Sequence, residues 1–152
     1  MQARMKNPAM ILPDAMQALM DLQAATEKGG VSPELLGLVH LRASQINGCD
    51  ACMTAGICQV RKAGESEDRL TALENWKVSP HFTDAERAAL ALTEAVTRLS
   101  DQKDAVPDAV WNEATRYYNE KALAALILSI ATTNVYNRLN VTTRQIAGSW
   151  EG

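Results

Sequence analysis

The sequence predicts an all-α protein: helix start and stop signals recur along its whole length, apolar residues repeat at helical spacing, and no stretch shows the alternating β-branched pattern of a strand. The 152 residues suit a single domain spanning 1–152, filled by a bundle of about seven helices.

The first helix opens at Pro13, where a missing N–H costs nothing, and stops at Lys28 before Gly29-Gly30. Met16, Leu19 and Met20 form its apolar side. Ser32 caps a second helix that starts at Pro33-Glu34 and runs to Ile46, where Asn47-Gly48 ends it. The third begins at once, at Cys49 or Asp50, and closes at Lys62 before Ala63-Gly64. Ser66 caps a fourth that runs through Trp76, and Pro80 separates the halves of the chain. In Thr83-Asp84-Ala85-Glu86 the Thr and Glu side chains satisfy each other's backbone N–H groups, a capping box that launches a fifth helix to Ser100. Pro107 opens a sixth to Tyr118, and Asn119 caps a seventh to Leu139. That last helix is apolar on nearly all sides over three turns, which fits the centre of the fold, a subunit interface, or both.

Composition narrows the function. Eighteen acids and 15 bases, net −3, are mixed along the chain and offer nucleic acid no basic patch. The longest apolar run, Ala122 to Ala131 broken only by Ser129, is about half a bilayer span. Residues 1–7 lead to Pro13 and Asp14 rather than into the apolar core of a signal sequence. The expected setting is the cytoplasm, with no membrane and no nucleic-acid partner, and there three cysteines make no structural disulfide framework.

Their spacing carries the chemistry. In Asn47-Gly48-Cys49-Asp50-Ala51-Cys52 two thiols stand three residues apart in the first turn of a helix, on one face, within reach of each other. The helix N-terminus favours a thiolate and draws a cysteine pKa below its usual value of about 8.5. A redox pair and two buried structural cysteines both fit this spacing. Zinc requires a second half-site, and Cys58, His40 and His81 supply no paired spacing, so no metal is expected. Met53 stands where c-type haem attachment needs His, and the thioredoxin motif needs a strand this chain lacks; no cofactor is implied.

Cys58 falls about 240° around the helix from Cys52 and reads as an inert core residue. His40, on the preceding helix, reads as a surface residue, its alternative role being a base for the thiols; His81 reads as a loop residue. Trp76, Trp111, Trp150 and Tyr117-Tyr118 read as packing anchors.

Leu41-Arg42-Ala43-Ser44-Gln45-Ile46-Asn47-Gly48-Cys49, followed by Cys52 and Arg61-Lys62-Ala63-Gly64-Glu65, resembles the AhpD-like alkylhydroperoxidase members of the carboxymuconolactone decarboxylase family. Phe82 to Leu90 resembles the next helix start of that family, and Asn137-Arg138-Leu139-Asn140-Val141 with Thr143-Arg144-Gln145 its C-terminal signature. The resemblance covers most of the chain from about Pro33 onward. It implies an all-α fold assembled as a homo-oligomer, trimer or hexamer, that reduces hydroperoxides. Cys52 would be the attacking thiolate, Cys49 would resolve its sulfenic acid to a disulfide, and an external dithiol would restore the pair.

The chain departs from that pattern at two places. The peroxidase members carry a Glu twelve residues before the first Cys and a His four after the second, which relay protons; here those positions are Gly37 and Gly56. Asp50 also places a carboxylate between the thiols, opposing thiolate formation. The leading expectation is a thiol-dependent antioxidant oxidoreductase working through Cys49 and Cys52. The alternative is an oligomeric binding or redox-sensing protein with a small ligand in space left free at the two glycines. Lactone decarboxylation comes last, because no acid–base pair for it is identifiable.

Overall fold

The computed structural model describes residues 2–149; Met1 and residues 150–152, with the expectation for Trp150, lie outside it. The described residues form eight α-helices and no strand: α1 Pro8–Ile11, α2 Pro13–Thr26, α3 Pro33–Ile46, α4 Asp50–Lys62, α5 Glu67–Ala72, α6 Asp84–Thr97, α7 Asp108–Tyr117 and α8 Glu120–Thr143, with a 3-10 turn at Leu73–Asn75.

The count of seven is corrected at two places. Helix α1 has four residues, too short for any hydrophobic period, and exists because the Asn7 side chain accepts from Ala9 N–H and Pro8 occupies its first turn. The segment expected as one helix from Ser66 to Trp76 is α5 followed by the tighter 3-10 turn, which brings Leu73 and Trp76 into the core. Four side-chain caps stand where expected: Ser32 accepts from Leu35 N–H, Ser66 from Arg69 N–H, Asn119 from Ala122 N–H, and Thr83 with Glu86 forms the reciprocal box. Helix α8 runs one turn past Leu139, through residues too polar to have signalled helix, and stops at Arg144 in the left-handed conformation.

Helix α3 is shared by two apolar cores. Leu35 and Val39 pack with Leu92 of α6 and Leu123, Leu126 and Ile130 of α8. Leu38 and Leu41 pack with Val60 of α4, Leu73, Trp76, Phe82 and Leu90. Helix α8 buries one side and leaves Leu128, Val135 and Val141 exposed. Met20, expected on the buried side of its helix, is exposed; Trp111 and Tyr117 are exposed as well, whereas Trp76 is buried and the Tyr118 hydroxyl donates to Ala85 C=O at 2.6 Å.

A buried ionic knot ties α3 to α6. Arg42 donates to Glu94 Oε1 through Nε and Nη2 at 3.0 and 2.8 Å, and the Trp76 indole donates to the same oxygen at 2.9 Å. Burial alone would raise the Glu94 pKa, but the hydrogen bonds from Trp76 and Arg42 outweigh it and hold the carboxyl below its ordinary value of 4.5. Its pKa is depressed in the folded state, so its contribution is present above the ordinary value and lost as pH falls through the folded one. Glu94→Ala leaves Arg42 uncompensated and is expected to cost about 3 to 5 kcal/mol in urea denaturation at neutral pH. The mutant's stability should also fall less steeply than wild type below about pH 4.5; parallel acid slopes would refute the assignment.

Candidate active site

The site is built where α3 turns into α4. Asn47 ends α3, Gly48 takes φ of 63°, a conformation suited to glycine, and the chain re-enters a helix with Cys49 as N-cap. Cys49 Sγ accepts from Cys52 N–H at 3.3 Å, and the two cysteines form a disulfide across Cα atoms 5.3 Å apart. Both are almost wholly buried, 2% and 3% exposed, against Ala51 and Tyr136. The expectation of a bonded pair at a helix start corresponds to this arrangement. Asp50, between them in sequence, points to solvent.

Asparagines of α8 hold the corner. Asn47 Nδ2 donates to both Asn134 Oδ1 and Asn137 Oδ1 at 2.9 Å, and Asn137 Nδ2 donates to Ser44 Oγ at 3.0 Å. One turn further along, Asn140 Nδ2 donates to Cys52 Sγ at 3.3 Å. The sequence had marked Asn137 and Asn140 only within a resemblance. The available signal was an Asn-x-x-Asn-x-x-Asn spacing, at Asn134, Asn137 and Asn140, that puts three amides on one side of the helix.

His40 is not a surface residue. Its Nε2 lies 3.3 Å from Cys52 C=O and its Nδ1 3.2 Å from Thr133 Oγ1. A carbonyl only accepts, so Nε2 carries the proton and Nδ1 accepts from the Thr133 hydroxyl. Loss of solvent around the ring draws its pKa below 6.5, and the bond to the Cys52 carbonyl offsets part of this, so the imidazole is neutral at pH 7.

Both glycines line the cavity that adjoins Cys52, as the expected space beside the thiols requires, but the places their own side chains would take are occupied. A Cβ on Gly56 would meet His40 Cδ2 at 2.7 Å and Leu41 Cδ2 at 2.8 Å; one on Gly37 would run into Val60 Cγ1. The imidazole of His40, from α3, therefore covers the place into which a side chain at position 56 of α4 would project. Cys58 is corrected too: it is half-buried on the outer side of α4 beside Arg61 and Lys62, not in the core. His81 is an exposed loop residue. Among the described residues no three of His, Cys, Asp or Glu converge as a metal site requires, and no helix is long and apolar enough to cross a membrane.

Beside Cys52 opens a cavity of about 1060 Å³, walled by α2, α3, α4, α8 and the N-terminal segment. Met10, Met16, Leu36 and Val60 give it an apolar body; His40, Thr133, Tyr136 and Asn140 bring polar groups. Cys52 lines it and Cys49 does not. The arrangement presents one sulfur to a ligand and keeps the second behind it.

Residues 13–95 match the model of the carboxymuconolactone decarboxylase family. The chain is 30% identical over 131 residues to the uncharacterized protein YdfG of Bacillus subtilis, covering 86% of this chain and 88% of that one. It is 30% identical over 114 residues to the uncharacterized YnjA of Escherichia coli, of whose length the match spans 61%. Among solved structures, ATU0492 of Agrobacterium tumefaciens, a protein of unknown function with a suggested AhpD-type role in antioxidant defence, superposes with a TM-score of 0.88 at 29% identity over 96% of this chain and 98% of that one. The debrominase Bmp8 shares the fold at a TM-score of 0.80 and 22% identity, over 90% of this chain and 73% of its own.

The filled glycines set an expectation opposite to the one the relay pattern suggests. Gly56→His and Gly37→Glu, singly or together, should not restore a relay. Each has to displace packed side chains and is expected to cost about 1 to 3 kcal/mol by overpacking. Thermal melts of the three variants check this; an unchanged melting temperature in Gly56→His would show that His40 yields its place freely.

Proposed function

Because the chain belongs to the carboxymuconolactone decarboxylase family, in its AhpD-like branch, we propose that it is a thiol oxidoreductase of antioxidant type that reduces hydroperoxides through Cys52 and Cys49. The observation that carries this reading is the bonded pair at the start of α4 with Cys52 alone on the cavity wall. The reduced Cys52 thiolate attacks the terminal peroxide oxygen, the O–O bond breaks, and the alkoxide leaves as alcohol on taking a proton. The resulting sulfenic acid is attacked by the Cys49 sulfur, which loses its proton; hydroxide leaves as water and the disulfide forms. An external dithiol returns two electrons and two protons. Free N–H groups in the first turn of α4 favour the thiolate at both cysteines.

The apolar body of the cavity favours organic hydroperoxides over hydrogen peroxide. A reducing compartment such as the cytoplasm would keep the pair in its thiol form between turnovers. The binding-protein reading rested on free space beside the thiols at Gly37 and Gly56; both glycines line the cavity with Cys52, so ligand binding is the outcome if no turnover is found.

Peroxide consumption is to be followed with dithiothreitol, lipoyl and thioredoxin-type dithiols. Wild type should turn over cumene hydroperoxide faster than hydrogen peroxide; Cys52→Ser should abolish turnover, and Cys49→Ser should stop after one equivalent with a trappable sulfenic acid. Equal inactivity of wild type and Cys52→Ser with every dithiol would sink the enzyme reading.

The proposal extends to assembly. Leu128 and Val135 on the outer side of α8, with Met20 and Leu22 on α2, leave apolar surface uncovered in one copy. A homo-oligomer, trimer or hexamer, would cover it. Light scattering after size exclusion should give a multiple of 16.5 kDa at micromolar concentration; a monomer there would overturn the assembly.

A further inference from the structure

We propose that Asn140 is a catalytic residue of the Cys52 thiolate, and that Asn7 of the N-terminal segment is the positioning residue that aims it. The inference rests on the thiol reading above and names how the site charges its nucleophile without a carboxylate or imidazole aimed at the sulfur.

Ala9 N–H donates to the Asn7 side chain at 2.9 Å, so the atom it meets is Oδ1. The other end of that amide, Asn7 Nδ2, then faces Asn140 at 2.8 Å, and the Asn140 atom receiving it is Oδ1. The Asn140 Nδ2 group is thereby turned to Cys52 Sγ, 3.3 Å away. Each orientation fixes the next, so the amide of Asn140 offers the sulfur a donor and cannot turn its oxygen there without breaking one of the two earlier bonds. Asn140 is 8% exposed and α8 holds its backbone, so the donor is preorganised in a site largely closed to water.

The groups facing the sulfur from the surrounding elements leave this role open. His40 on α3 spends its proton on the Cys52 carbonyl and its lone pair on Thr133. Tyr136 on α8 packs against the cysteines, and its hydroxyl lies 3.5 Å from Gln23. Asp50 on α4 is exposed, and Lys6 and Glu27 are at the cavity wall. Among the described residues Asn140 is the side chain that donates to Cys52 Sγ. On reduction the same sulfur becomes the thiolate, and the bond becomes charge-assisted, stronger than to a neutral acceptor. That difference lowers the pKa of Cys52; Cys49 Sγ, which accepts from the Cys52 backbone N–H, has no donor that depends on Asn140.

The test reads the thiol directly and needs no peroxide. In a Cys58→Ser background the reduced protein is alkylated with iodoacetamide between pH 5 and 10, and adducts at Cys52 and Cys49 are separated by peptide mapping. Asn140→Leu should raise the Cys52 pKa by at least one unit, a tenfold loss of thiolate below that pKa or 1.36 kcal/mol, while Cys49 moves less. Asn140→Asp, of the same shape but with a carboxylate against the sulfur, should raise it further. Asn7→Ala, which leaves Asn140 in place and removes the bond that aims it together with the cap of α1, should shift Cys52 in the same direction by a smaller amount. A Cys52 pKa unchanged in folded Asn140→Leu or Asn140→Asp overturns the role of Asn140, and one unchanged in Asn7→Ala overturns the aiming. Should both Asn140 variants fail to fold, Asn7→Ala decides alone: a raised Cys52 pKa supports the chain of amides and an unchanged one refutes it. If the pKa shifts are found but wild type consumes no peroxide, the proposed function fails and this inference stands.

Discussion

The asparagines on the inner face of α8 impose the constraint on which the site depends. A buried amide left unsatisfied costs about 1 to 3 kcal/mol, while a satisfied bond contributes about 1. The asymmetry makes such groups weak as a source of stability and strong as a source of register. Asn134 and Asn137 both meet the Asn47 amide, and Asn137 also meets Ser44. Slipping α8 against α3 by one residue would strand these groups without water. The corner that carries Gly48 and Cys49 is therefore held at one height along α8, and Cys52 is set one turn above it opposite Asn140. The apolar half of α8, Leu123 to Ile130, supplies the burial, and its polar half supplies the address.

His40 and Gly56 are two sides of one packing decision. The imidazole occupies the volume that any side chain at position 56 would enter, so glycine there is a condition for the histidine. In exchange the ring reaches the first turn of α4 from α3, bonding the Cys52 carbonyl rather than the sulfur. A neutral imidazole with both nitrogens engaged orients the backbone of the nucleophile and does not repel an incoming substrate by charge. It also links Cys52 to the cavity through the Thr133 hydroxyl, whose proton is engaged by the ring and whose lone pairs can accept there.

What the sequence revealed followed from local chemistry. Ser32, Ser66, Thr83 with Glu86, and Asn119 each bond backbone within their own first turn, so their roles were readable without knowing what packed on what. The disulfide was readable for the same reason, its partners being one helical turn apart. Helix α1 escaped because four residues hold no period, and the break between α5 and the 3-10 turn escaped because Trp76 is drawn inward by Glu94, eighteen residues on. Glycine at positions 37 and 56 was read as free space beside the thiols, and both line the cavity; the neighbour that stands where a side chain there would go is not visible in sequence. Val60, His40 and Leu41 fill those places from other helices. His40 was misread as exposed because its mixed neighbours gave no sign that two partners, Cys52 and Thr133, would close around it.

The longest reach in the molecule explains why the polar frame of Cys52 was the least legible part. Arg4 N–H donates to Thr143 C=O at 2.8 Å, Gln145 Nε2 donates to Met5 C=O at 2.9 Å, and Asn7 meets Asn140, so the two ends of the described chain lie side by side along the end of α8. These contacts join residues more than 130 positions apart, and closing so long a loop yields nothing until the helices between are already in place. The disulfide turn needs only α3 and α4, whereas the donor to its outer sulfur needs α8 docked and the N-terminal segment laid across it. The site is thus assembled in two layers of different range: a local pair of cysteines, and a remote amide that reaches its sulfur through the completed fold.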